Sequence, residues 1–75
     1  MRRGVLVDAG SGASTPCMIV DISIGGARLE IVAAGLPKGP LSLIDRKAAT
    51  AHELKIVWRR GPVAGVSFLS STALP

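Results

Sequence analysis

Glycine or proline interrupts this chain at close intervals, and the runs between are dominated by valine, isoleucine and leucine. Such runs have room for short strands. The one stretch with helical propensity, Asp45 to Glu53, opens on Arg46-Lys47-Ala48-Ala49 and is too short to stand alone as a helix. Val5 to Asp8 reads as a strand, followed by a loop of Gly, Ala and Ser through Ser14. Cys17 to Ile22 is nearly all apolar, as in a strand buried on both faces. Ala27 to Val32 alternates, with Ala27, Leu29 and Ile31 on one face and Arg28 and Glu30 on the other. Gly35, Pro37, Gly39 and Pro40 break the chain before a strand from Leu41 to Ile44. Alternation returns from His52 to Arg59 and sets Leu54, Ile56 and Trp58 against Glu53, Lys55 and Arg59. Arg60-Gly61-Pro62 then turns the chain back through Val63 to Leu69. Five or six strands joined by tight turns predict an all-β fold, a small antiparallel barrel whose closure removes exposed edges.

Seventy-five residues make one domain, spanning 1–75. Its core is expected over about 4–69, with a frayed tail from Ser70 to Pro75. A chain of this length buries only roughly 60 % of its unfolded surface. With one cysteine, Cys17, and one histidine, His52, it forms neither an internal disulfide nor a structural zinc site. Cys17 sits in an apolar run and reads as a small core residue. The apolar run after Arg2-Arg3 ends at Asp8, too soon for a signal peptide, and no window reaches membrane-spanning length. A soluble, cytoplasmic protein is expected.

Enzyme signatures fail one by one. Gly10-Ser11-Gly12 lacks the third glycine of a dinucleotide fingerprint, and Pro16 stands where the helix would begin. There is no Gly-x-Ser-x-Gly. Glu53 adjoins His52, but neighbours on a strand face opposite ways, so His52 reads as an edge or core residue rather than a base. No catalytic residue, metal ligand or cofactor is therefore expected. The formal net charge of +4 favours anionic partners.

The densest chemistry lies in Asp21-Ile22-Ser23-Ile24-Gly25-Gly26, which Ala27-Arg28-Leu29 follows. A carboxylate, a hydroxyl and two glycines share one turn between β-rich runs. One reading is a tight turn in which Asp21 and Ser23 hydrogen-bond their own backbone. The other is recognition of a flat polar edge such as guanine, with an acceptor, a small donor and an open backbone.

Asp21-x-Ser23-x-x-Gly26 resembles the Asp/Asn-x-Ser-x-x-Gly motif of PilZ domains, and Gly26-Ala27-Arg28-Leu29 continues the likeness. The hairpin Ile56-Val57-Trp58-Arg59, a turn, then Gly65-Val66-Ser67-Phe68-Leu69 is similar to that family as well, as is Leu36-Pro37 before a strand. The resemblance covers about Gly4 to Leu69. It implies a six-stranded β-barrel that binds the bacterial messenger cyclic di-GMP. Asp21 would accept the N1–H and N2–H edge of guanine and Ser23 would add a hydroxyl contact. Gly25 and Gly26 would let the backbone approach the base with positive φ. The family's second signature, Arg-x-x-x-Arg, is not matched, because Arg2 and Arg3 are adjacent and the residues four places on are Leu6 and Val7. Arg2 or Arg3 would meet a phosphate as a flexible tail.

Three readings stay open. The first is a non-catalytic cyclic di-GMP domain with a reduced arginine clamp. The second is a PilZ-like adaptor that binds a protein instead of the nucleotide. The third is a basic RNA-binding barrel. It rests on charge alone, since the only aromatics, Trp58 and Phe68, are assigned to the core and leave no platform for stacking bases.

Overall fold

The computed structural model describes residues 1–32 and 40–75. The breakers Gly35, Pro37 and Gly39, and the Leu36-Pro37 pair of the resemblance, lie outside the described residues. The described residues are all β, with strands β1 (Arg2–Asp8), β2 (Ser14–Ile22), β3 (Gly26–Glu30), β4 (Leu41–Asp45), β5 (Thr50–Arg60) and β6 (Val63–Ala73). They close into one antiparallel barrel in the order β1-β2-β3-β6-β5-β4, with β4 pairing back onto β1. Each expected strand is present, and β1, β2, β5 and β6 are longer than the apolar runs suggest.

Inward side chains follow the period of two. Leu6, Cys17, Ile19, Leu29, Ile31, Leu41, Leu43, Leu54, Ala64 and Val66 form the core, and Ile22, Ala27, Ile56 and Phe68 pack against it. Burial pushes the Cys17 thiol up to about 11, so it packs as an inert apolar group.

In the one stretch with helical propensity, Asp45 to Glu53, the structure has a turn from Arg46 to Ala49 and strand on either side. Asp45 and Thr50 face each other across a loop of Arg46, Lys47, Ala48 and Ala49. Asp45 is fully buried, and its Oδ1 accepts the Ala48 N–H at 3.3 Å. Arg2 grips the same carboxylate with two donors, Nε at 3.1 Å from Oδ1 and Nη2 at 2.6 Å from Oδ2. A bidentate charged pair of this kind fixes geometry as well as adding energy. It joins the start of β1 to the end of β4 and to the turn that feeds β5.

The C-terminal segment is not frayed. Ser70, Ser71, Thr72 and Ala73 pair with Glu53, His52, Ala51 and Thr50, and the Leu74 N–H donates to the Ala49 carbonyl at 2.8 Å. Without this pairing the first residues of β5 would have β4 on one side only. His52 anchors the segment. Its Nδ1 lies 2.6 Å from Ser71 Oγ and its Nε2 lies 3.2 Å from Thr50 Oγ1. Its ring stacks on Phe68 at a centroid distance of 4.1 Å. Both ring nitrogens are occupied by structural partners, which agrees with a core histidine.

Candidate functional site

Four neighbouring strands bring the chemistry of the chain into one row. In the register, Asp21 of β2 opposes Arg28 of β3, Arg28 opposes Gly65 of β6, and Gly65 opposes Trp58 of β5. The row therefore reads carboxylate, guanidinium, bare backbone, indole. It borders an open cavity of about 340 Å³ on the outside of the barrel, with Ser23, Val57 and Gly26 also in its wall.

Two β-bulges create this row. Ile19 pairs with Leu29 but Asp21 pairs with Arg28, so Val20 is an extra residue in β2. Ile56 pairs with Val66 but Trp58 pairs with Gly65, so Val57 is an extra residue in β5. A bulge shifts every later side chain to the other face. This corrects the placement of Trp58 in the core with Leu54 and Ile56. Strict alternation holds up to Ile56, the bulge at Val57 resets it, and Trp58 emerges 42 % exposed. The indole lies against Gly65, where an added Cβ would collide with Nε1 and Cε2. An exposed aromatic platform therefore exists, contrary to the reading that left none.

The turn from β2 to β3 is tied down from both sides. The Ser23 N–H donates to the Gly26 carbonyl at 2.8 Å, its hydroxyl reaches the same oxygen at 3.4 Å, and the Gly25 carbonyl accepts the Phe68 N–H at 2.9 Å. Ser23 thus does hydrogen-bond its own turn. Asp21 does not: its Oδ2 accepts Arg28 Nη2 at 2.7 Å. Gly25 and Gly26 were expected at positive φ, and neither adopts it; among the described glycines only Gly12 and Gly61 do. Gly26 is required for another reason, since a Cβ there would run into the Val66 carbonyl oxygen.

Of the expected site residues, Asp21, Ser23 and Gly26 meet at the cavity and Gly25 completes their turn. Arg2 and Arg3 are elsewhere. They do not form a flexible tail, because both lie in β1, paired with Ile19 and Met18. Arg2 is committed to Asp45. Arg3 borders a different, more apolar cavity of about 500 Å³, with Met18 and Glu30. Arg28, Trp58 and Gly65 line the cavity and lie outside the expected set of site residues. Arg28 had a legible signal, because it stands two residues beyond Gly26 and shares its face. Trp58 had none, since a bulge follows from pairing and not from local sequence.

Chemically, the site offers an acceptor and a donor side by side next to a stacking surface. The Asp21–Arg28 pair is exposed at both ends, 63 % and 51 %. An ion pair so placed contributes no more than about 1 kcal/mol, so a ligand with better-aligned partners can open it. Base stacking on an aromatic ring contributes roughly 1–3 kcal/mol.

No protein-family model, curated protein or solved structure matches this chain.

Proposed function

We propose that this chain is a PilZ-like, non-catalytic domain that binds cyclic di-GMP at the Asp21 turn, in the cytoplasm. The observation that carries the reading is the single row Asp21–Arg28–Gly65–Trp58 across four strands. A guanine laid on the indole turns its N1–H and N2–H edge toward the Asp21 carboxylate. Two donors on one carboxylate separate guanine from adenine, which presents no such pair. Opening the Asp21–Arg28 pair costs about 1 kcal/mol or less, while each new charge-assisted bond returns roughly 1.5–3 kcal/mol. Arg28, once released, is free to meet ligand oxygens.

The test is a calorimetric titration of cyclic di-GMP into the parent and Asp21→Ala, with cyclic di-AMP as the control ligand. Saturable binding of the guanine messenger alone, weakened about tenfold or more in the mutant, is the expected result. No binding by the parent removes the reading.

One observation favours the adaptor as the second reading. Ile24, at the tip of the same turn, is 99 % exposed and Val57 beside Trp58 is 61 % exposed. These apolar groups, close to the row, suit a protein partner. A partner captured through this face and lost on Ile24→Asp, with no nucleotide bound, would establish it.

A further inference from the structure

The outer face of β3, β6 and β5 is a grid of rows, and its cations are not those that the adjacent arginines Arg2 and Arg3 suggest. One register step from Trp58 toward the β2–β3 turn, the row runs Gly26, Ser67, Lys55. One step the other way, it runs Glu30, Val63, Arg60. Lys55 and Arg60 thus stand on the same strand as Trp58, one on each side, and both are exposed. Successive same-face positions on a strand are about 7 Å apart and neighbouring strands about 5 Å. The two cations therefore flank the indole, and Arg28 faces it from two strands away.

Their electrostatic state matters as much as their place. Arg2 is held by a buried carboxylate, and drawing it away would strand Asp45 in the barrel wall. Arg28 is paired with Asp21. Among the described residues Lys55 and Arg60 take part in no ion pair. Glu30 shares the row of Arg60 but stands two strands off, at about 10 Å, where screening at ordinary salt is strong. Two unengaged cations thus bracket an exposed aromatic ring that lines the same cavity as the Asp21 carboxylate.

We infer that Lys55 and Arg60 form the phosphate site of this domain, taking the place of the unmatched arginine clamp. The ligand class is a phosphodiester or pyrophosphate anion joined to a base stacked on Trp58. This inference rests on the messenger reading for the base and on the grid for the phosphates. A base on the indole carries its sugar and phosphate past the ring edge, toward one cation or the other. A cyclic dinucleotide, with two phosphodiesters, engages both.

Calorimetric titrations of cyclic di-GMP into the parent, Lys55→Gln with Arg60→Gln, and Arg3→Gln, at low and high salt, test the assignment, with circular dichroism verifying the fold of each. The double variant is expected to bind about tenfold more weakly or worse and to lose most of the salt dependence, while Arg3→Gln matches the parent. Unchanged affinity in the double variant, or a larger loss in Arg3→Gln, overturns the assignment. A parent that takes up no cyclic di-GMP counts against the messenger reading alone. Pyrophosphate then probes the face directly, read by backbone amide shifts. Shifts centred on Lys55, Trp58 and Arg60 that vanish in the double variant uphold the phosphate site, and their absence in the parent overturns it.

Discussion

Two arginine–aspartate pairs among the described residues have nearly equal lengths and do opposite things. Arg2 and Asp45 meet at 2.6 Å with the carboxylate fully buried, whereas Arg28 and Asp21 meet at 2.7 Å with both partners more than half exposed. The first pair is bidentate and spans 43 residues of chain; the second is a single contact between adjacent strands. Burial, not distance, sets their roles. A charge removed from water must keep its partner, so Arg2–Asp45 is a lock. A charge left in water exchanges partners at little cost, so Arg28–Asp21 is available to a ligand.

The largest effect expected from this contrast is on stability. Arg2→Ala leaves the buried Asp45 carboxylate without its charged partner, and is expected to cost more stability than any other substitution considered. A domain of this size has on the order of 5 kcal/mol to lose. Arg28→Ala is expected to cost less than about 1 kcal/mol. Urea denaturation of the two variants checks the contrast, and equal losses would break it.

Acid sharpens the same contrast. The hydrogen bonds from Arg2, opposed by burial and aided by the Ala48 N–H, hold the Asp45 carboxyl below the usual carboxylate range. Its folded pKa therefore lies below its unfolded value of about 3.9. The stability it confers is present above that value and is lost as pH falls through the folded pKa. Asp8 is lowered as well, through the Ser11 hydroxyl and the Gly10 N–H, and adds to the acid sensitivity in the same direction. Thermal melts are expected to be flat near neutrality and to fall below about pH 4. In Asp45→Asn that fall should be shallower, from a lower plateau.

Trp58 gives the next smaller effect. On the core reading Trp58→Ala would cost roughly 3–5 kcal/mol; on the exposed row it is expected to cost about 1 kcal/mol and to leave a folded barrel. A variant that fails to fold would mean that the row is structural, like the lock. The smallest effect is at the turn that delivers Asp45. Ala49 sits in the left-handed region at φ 54°, a strain of about 1–2 kcal/mol that glycine relieves at an entropic cost of its own of about 0.5–1. Ala49→Gly is therefore expected to raise stability by less than about 1 kcal/mol. A loss in chemical denaturation would show that the turn is not strained.

The sequence by itself determined the strands, the all-β class, the closed barrel and the Asp21-Ser23-Gly26 turn, because alternation and turn chemistry are local properties. It placed Cys17 inside for the same reason. Three things needed the tertiary structure. Bulges at Val20 and Val57 are defects of pairing between strands, and pattern on one strand cannot reveal them; they turned Trp58 outward and set Asp21 opposite Arg28. The C-terminal residues joined β6 because Thr50 to Glu53 offered them an open ladder, although their own composition favours fraying. The partner of Arg2 lay 43 residues away, and only closure of β1 on β4 brought Asp45 to it and so committed its guanidinium to the barrel wall. Local pattern fixes which face a residue can take, but register and closure decide which face it takes and what it meets there.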